Sequence, residues 1–480
     1  GGGAIPPRVV PAGPPGLAAP KNPAGQPADI LRSPETEAAR SYKFAPADEI
    51  LLEEIQRGCF NYLWNEVGQP AGLAKDRCLT ALASTAGVGF QLSALPIGVE
   101  RGWISREEGA SRAESILRSL IERTDNKHDG VYLHFVNSTD GGQPPGDVVD
   151  QASTVDHALL LAGALPAAVY FGGEVARLAD LMAADTNWRS YRNSPKDLIS
   201  FGWRPADNRT MDGPGEYREW DWHIASDEEF LVYFLAVGAP REDYSVNPRD
   251  YYRLERTVKS HGDMPPYVVS WNGALFTYFF AHSWIDYGRF EADEPARFDV
   301  EAPRVDWFEN SRRAMLTHRW RCIEAGGSFP TLAGDRWGLS PSSGRNADGR
   351  DSYLVPDVQP NLSNSDNFCG GAAAPYAARS AIVFTPRESM DALRSMRHLR
   401  GKDGELLAWR DPAAGGFGFA DSLNIEQQHA SDDNIAIDVG PMIVAIENAR
   451  TGLVWKLFME HPVARRAVEK LGWELRADEQ

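Results

Sequence analysis

The chain has 480 residues, 42% hydrophobic and 24% charged, with 49 basic and 67 acidic side chains giving a formal net charge of −18. The acids are scattered rather than blocked, which argues against nucleic acid and anionic membrane surfaces as partners. Four cysteines (Cys59, Cys78, Cys322, Cys369) lie far apart with no CxxC pair, so packed free thiols are expected rather than a zinc ribbon or dithiol redox motif.

Residues 1–28 contain 6 Gly, 8 Pro and 6 Ala and can bury little. They read as a flexible tether, expected to run to residue 42 ahead of a single domain over 43–480. The chain opens Gly-Gly-Gly without a Met, as a trimmed, exported protein would (periplasmic, or an outer-membrane-anchored lipoprotein) and as an added leader would too. From Leu51 a broad apolar stripe (Leu51, Ile55, Cys59, Leu63) recurs at helical spacing. Ser105 and Glu108 form a capping box that opens a helix to about residue 120. Residues 131–136 alternate as a short strand. Residues 153–171 are almost wholly apolar, as an inward-facing helix is, and Pro166 interrupts a run too short to span a bilayer. Further helices are expected over 173–186, 226–238, 272–284, 305–325, 371–382, 434–449 and 462–471, and Thr385-Pro386-Arg-Glu388 marks another helix start. A dozen or so helices without a strand series make an all-α chain. The long connections 187–222 and 334–371 carry Trp188, Trp203, Trp220 and Trp337, which favours functional loops.

No GxGxxG, P-loop, HExxH or GxSxG occurs, and Gly87-Val-Gly89 in a helical context points to close packing. The histidines are not at metal-ligand spacing, so neither a metal nor a cofactor is expected. What remains is carboxylate chemistry beside aromatic rings. The stretch 220–229 sets Trp220 and Trp222 beside Asp221, Asp227, Glu228 and Glu229 at the mouth of an apolar helix. Rings stack on the apolar faces of pyranoses, and paired acids protonate the leaving oxygen and activate water. The same residues also read structurally, because Ser226 and Glu229 form a capping box and acids in a first turn complement the helix dipole. Asp76, Asp156, Asp286, Asp421 and Asp438 are further candidates; the second, third and last interrupt apolar runs, where a buried acid is costly unless paired or functional.

Ordered motifs extend over nearly all of the chain after the tether, from about Leu51 to Gly472. They are Phe60-Asn-Tyr-Leu-Trp64, Gly72-Leu-Ala-Lys-Asp-Arg77, Ala83-Ser-Thr-Ala-Gly-Val-Gly-Phe90, Arg101-Gly-Trp-Ile104 and Ser153-Thr-Val-Asp156. Trp284-Ile-Asp286, Asn310-Ser311, Trp337-Gly-Leu339, Gly418-Phe-Ala-Asp421 and Glu447-Asn-Ala-Arg-Thr-Gly452 follow. In this order they resemble the bacterial endo-β-1,2-glucanases of glycoside hydrolase family 144 and the glycoamylase-like domain of cyclic β-1,2-glucan synthases. The resemblance implies an (α/α)6 barrel with long cleft-lining loops. It also implies metal-free, cofactor-free cleavage of β-1,2-glucan with inversion. Carried over, it makes Glu228 the general acid and Asp421 the general base, with Asp156, Asp221, His157, Trp220, Trp222, Trp337, Asp76 and Asp286 as substrate-binding candidates. The expected partner is a polysaccharide or oligosaccharide, met by a monomer with no membrane-spanning segment. Three departures from the family pattern bear on substrate. His157 stands where Thr is usual, Gln151 where an acid is common, and Gly370-Gly371-Ala-Ala-Ala-Pro375 where Asp-Gly-Thr-x-Ala-Pro is usual. Transglycosylation, exo action releasing short oligosaccharides and non-catalytic glycan binding are the alternatives.

Overall fold

The computed structural model describes residues 27–146 and 149–480. Helices that are apolar on every side must be buried on every side, and five such segments, with one stretch of short turns, form an inner ring. They are Thr85–Glu100, Thr154–Phe171, Asp227–Val237, the turns between Leu275 and Arg289, Pro375–Ser380 and Ala436–Arg450. Each is preceded or followed by an amphipathic helix that covers it from outside: Pro46–Asn65, Arg106–Ile121, Gly173–Asp185, Pro248–Tyr252 together with Pro462–Leu471, Trp307–Ala325 and Pro386–Arg397. The last inner helix packs on the first and closes the ring. This is the (α/α)6 barrel. Thr154–Phe171 alone among the described helices is long and apolar enough to cross a membrane, and 78% of it is buried inside the ring.

The tightest contact in the ring joins its first two helices. A Cβ on Gly163 would lie 1.8 Å from the carbonyl oxygen of Gly89, and one on Gly89 would lie 2.1 Å from that of Leu159. The glycines at 87–89 therefore do serve close packing. Below this crossing Phe90 stacks on Trp284 with centroids 4.7 Å apart, and the Trp284 indole donates to Ser93 Oγ at 2.9 Å, filling the barrel axis.

The strands among the described residues are at most four residues long and form two- or three-stranded ribbons at one end of the barrel. They stitch the N-termini of the inner helices together. Ala436 N–H donates to Asp76 O at 3.0 Å, Thr85 N–H to His134 O at 3.0 Å, His134 N–H to Gln151 O at 3.0 Å, and Thr154 N–H to Phe201 O at 3.1 Å. The first turns of these helices thus face one common mouth.

Several local expectations are corrected. The strand over 131–136 divides into Val131–Tyr132 and Phe135–Asn137 because Leu133 and His134 turn their N–H groups to Asn126 and Gln151. The helix over 272–284 is replaced by two 3-10 turns, Leu275–Tyr278 and Ala281–Ser283, with a third following at Tyr287–Arg289. Its aromatic residues lose side-chain freedom in a helix, and the hydroxyls of Thr277 and Ser283 take the Ala274 and Phe279 carbonyls. Pro34–Arg40 and Leu453–Glu460 are helices that the sequence pattern did not mark. The packed body also begins before residue 43. Ile30 is fully buried and bridges Val305, and Thr36 Oγ1 donates to Glu309 at 2.6 Å. Residues 1–26 of the expected tether lie outside the described residues.

Gly163→Ala forces two inner helices apart. Overpacking of this kind costs about 1–3 kcal/mol, so the denaturation midpoint of G163A should fall clearly below that of the parent. An unchanged midpoint would refute the backbone contact.

Candidate active site

Three carboxylates sit in first turns of inner helices at the mouth: Asp156, Glu228 and Asp438. Asp76 and Asp421 join them from the intervening loops. On one side of the mouth a cavity of about 620 Å³ is lined by Phe201, Trp220, Asp221, Trp222, Glu228 and Trp271, among others. Trp220 and Trp271 expose 49% and 37% of their surface, so both offer ring area to a ligand. Trp222 stacks on Phe201 at 4.0 Å and is pinned by its indole N–H to Thr154 Oγ1 at 2.8 Å. Asp221 is buried and binds His223 Nδ1 at 2.7 Å. Trp271 escaped the sequence reading; it follows a short strand and precedes Asn-Gly, a turn signature that in hindsight presents its ring.

The four acids at 221–229 separate by environment. Asp227 is turned into the core, where it accepts from the backbone N–H of His282 at 3.1 Å and meets His282 Nδ1 at 2.7 Å. Glu229 accepts the Ser226 hydroxyl, and Ser226 Oγ accepts from the N–H of Glu228 at 3.3 Å. Ser226 does cap the helix, but the reciprocal capping box expected with Glu229 gives way to a side-chain pair. Glu228 faces the cavity, and its Oε2 accepts from the Trp271 indole at 3.4 Å. Burial, with the charge of Asp156 added, pushes its pKa up to about 7, against the pull of the Trp271 hydrogen bond. A rise from the ordinary 4.5 to about 7 corresponds to roughly 3 kcal/mol against ionisation, whereas a helix N-terminus returns only ~0.3–1 kcal/mol. Desolvation wins, and Glu228 can hold a proton near neutrality.

Across the mouth, Asp421 follows the strand Gly418–Phe419 and is 3% exposed. Its Oδ2 accepts from the N–H of Ser343 at 2.6 Å, which belongs to the hairpin of Ser342–Arg345 and Asp351–Leu354. Burial pushes its pKa up to about 7, while hydrogen bonds from Asp438 and Ser343 and the charge of Arg77 oppose the rise. Asp438 is raised well above the usual carboxylate range by burial and by Asp421. His134 lies between the two sides, 2.8 Å from Asp150 and 3.8 Å from Asp156. Burial disfavours its charge, yet Asp156, Asp150 and Asp76 outweigh that and push its pKa up to about 9, so it is an imidazolium at neutral pH. Ser153 Oγ holds Asp156 from the other side at 2.5 Å. A run of charges, Asp421, Arg77, Asp76, His134 and Asp156, therefore joins the two faces.

The mouth gathers Glu228, Asp421, Asp156, Asp221, Trp220, Trp222 and Asp76 and leaves out three expected residues. Trp337 is fully buried and donates to Glu388 O at 3.2 Å, behind the inner wall. His157 is fully buried one position past Asp156, stacked on Tyr132 and bonded to Thr186 Oγ1 at 2.9 Å; burial pushes its pKa down to about 3. Asp286 is paired with Arg40 at 2.9 Å, beside Trp455 and Lys456. Trp188 and Trp203 are also buried, so of the loop tryptophans named above only Trp220 is presented. Aromatic character alone does not distinguish a platform from core. Gln151 accepts from Arg218 at 3.1 Å, and Ala373 pairs with Leu423, so the 370–375 segment backs the loop that carries Asp421.

A family model, Glycoamylase, matches residues 219–462, half of the chain and most of this mouth. The chain belongs to the glycoamylase family. It is 26% identical to the exo β-1,2-glucooligosaccharide sophorohydrolase (non-reducing end) of Parabacteroides distasonis over 92% of its own length, and spans 60% of the length of that relative. The endo-β-1,2-glucanase of Chitinophaga pinensis, solved with sophorotriose and glucose, superposes with a TM-score of 0.72 at 22% identity, covering 91% of this chain and 100% of that one. The β-1,2-glucanase of Parabacteroides distasonis gives 0.73 at 24% identity, covering 90% of this chain and 60% of that one. These likenesses bear out the barrel, and the glycoamylase assignment meets the resemblance expected from the ordered motifs.

Because Glu228 titrates at about 7 when folded and near 4.5 when unfolded, its contribution to stability is full below pH 4.5 and is lost as pH rises through 7. Glu228→Gln removes that loss. The unfolding midpoint of E228Q relative to the parent should rise between about pH 5 and pH 8; a difference independent of pH would contradict the raised carboxyl.

Proposed function

We propose that this chain is a glycoside hydrolase that cleaves β-1,2-linked glucan, with Glu228 as general acid and Asp421 as general base. The observation that carries the reading is Glu228 itself, a carboxyl with a pKa near 7 in the cavity that the exposed rings of Trp220 and Trp271 also line. The activities named for the relatives supply the linkage. In the proposed step the Glu228 proton goes to the glycosidic oxygen as its bond to the anomeric carbon breaks. Water forms the new bond to that carbon from the opposite face, and Asp421 takes the proton that water sheds, which gives inversion. One water is consumed, and solvent returns the proton from Asp421 to Glu228. Asp156 and His134 hold the charges around the acid, and Asp221 and Asp76 are placed to meet sugar hydroxyls. His157, Trp337 and Asp286 have no part.

One observation favours exo action as the second reading. The hairpin over Asp421 is bound at both Asp421 and Ser422, the latter donating to Ser343 O at 2.7 Å, and so roofs that end of the mouth. A roofed end suits a chain terminus better than a continuous strand of glucan.

Linear β-1,2-glucan is the deciding substrate. Exo action predicts a single short product accumulating from the start, whereas endo action predicts a falling ladder of sizes; inversion predicts an α-anomer at the new reducing end. No product from any β-glucan, with binding retained, would leave a glycan-binding protein. General acid catalysis contributes about 10²–10⁴-fold, so E228Q should lose that much in kcat, and full activity would remove Glu228 from the role. Trp271→Phe deletes the donor that favours the ionised Glu228, so the alkaline limb of kcat/KM should move to higher pH. A limb that stays in place would separate Trp271 from the acid.

A further inference from the structure

Asp438 belongs to no part of the reaction written above, yet it is the most confined acid at the mouth. It lies in the first turn of the inner helix Ala436–Arg450, is 3% exposed, and is in hydrogen-bond contact with the Asp421 carboxyl. Its Oδ2 is buried and meets no N–H or O–H donor. A buried carboxylate oxygen without a donor is costly, and two touching carboxylates cannot both ionise out of water. Asp421 is placed differently, because its Oδ2 has the Ser343 N–H at 2.6 Å. The groups facing the pair are Arg77 and Asp433 on the Asp421 side, Asp76 and Tyr376 on the Asp438 side, and Tyr353 of the hairpin towards both. Arg77 is the cation among them; it is shared between Asp76 at 3.6 Å and Asp433 at 3.7 Å and lies over the Tyr353 ring.

We infer that Asp438 is a positioning residue for the base, holding one proton against Asp421 so that the negative charge resides on Asp421, where the Ser343 N–H receives it. The pair then works as a unit with one proton in the resting enzyme. It holds two after Asp421 has taken the proton from water, and releases one to solvent before the next turnover. Asp438 never touches substrate. It sets the basicity of Asp421, as a shared proton does in other carboxyl dyads, and the two acids titrate in linked steps that belong to the pair. This rests on the proposed role of Asp421.

Asp438→Asn replaces the acid O–H with a weaker amide donor, so the ionised Asp421 is less well held and its pKa rises. The acid limb of kcat/KM should move up by about one pH unit or more and kcat near neutral pH should fall roughly tenfold, with KM little changed. Asp438→Glu should restore the limb. A limb that stays in place in a folded D438N, while E228Q and Asp421→Asn are inactive, would overturn the inference and leave the function reading intact. An active D421N would overturn the reading of the base instead. The parent protein gives a test that does not depend on how D438N folds: with ¹³Cγ-labelled aspartate, two resonances should titrate as a linked pair above about pH 5. All aspartates being fully ionised at that pH would also overturn it.

Discussion

Backbone meets backbone where Gly89 and Gly163 cross, and the rest of the barrel is arranged around that contact. With any side chain at either position the helices Thr85–Glu100 and Thr154–Phe171 would stand further apart. Their first turns would then no longer share the ribbons that connect Asp76, His134 and Asp156. The crossing also sets the width of the ring, which Phe90 and Trp284 fill along the axis. A protein interior packed to this density transmits such a displacement rather than absorbing it. The positions of Glu228 and Asp421 are thus consequences of packing more than of their own local sequence.

The mouth concentrates acids where helix dipoles favour their charge, yet Glu228, Asp421 and Asp438 are held towards their protonated forms. The two effects differ in size: a helix end contributes a fraction of a kcal/mol to about one, and burial against aromatic walls several times that. Within three consecutive positions this balance produces different results. Asp227 keeps a histidine partner in the core, Glu229 keeps a serine, and Glu228 is left with one weak indole donor. The least satisfied acid is the one that faces the cavity. The same logic holds at Asp421 and Asp438, two buried carboxyls in contact, of which Asp421 has the Ser343 N–H and Asp438 the Tyr376 hydroxyl beside it.

Much of the architecture was legible in the sequence. Segments apolar on all sides alternate with amphipathic ones, which is how inner and outer helices of a ring must read. The stretch around Glu228 also announced itself by composition. Where the reading failed, the cause was the use of residue type in place of environment. Trp337, Trp188 and Trp203 have the composition of ligand platforms, but their rings are enclosed by the wall of the barrel. His157 and Asp286 lie beside true mouth residues in sequence or motif, and the turn of the helix or a pairing with Arg40 carries them away. Trp271 was overlooked because a lone tryptophan before Asn-Gly shows no periodicity.

The sequence by itself determined the helical alternation, the glycines that let two inner helices touch, and the placing of acids at helix starts. Those are local properties, written in spacing and side-chain size. Only the tertiary structure decided which acids meet, because Glu228 and Asp156 come together when neighbouring inner helices pack, and Asp421 and Asp438 when the loop between them folds back onto the last inner helix. It also decided their protonation, since desolvation depends on what surrounds a carboxyl, and that is fixed only when the barrel closes.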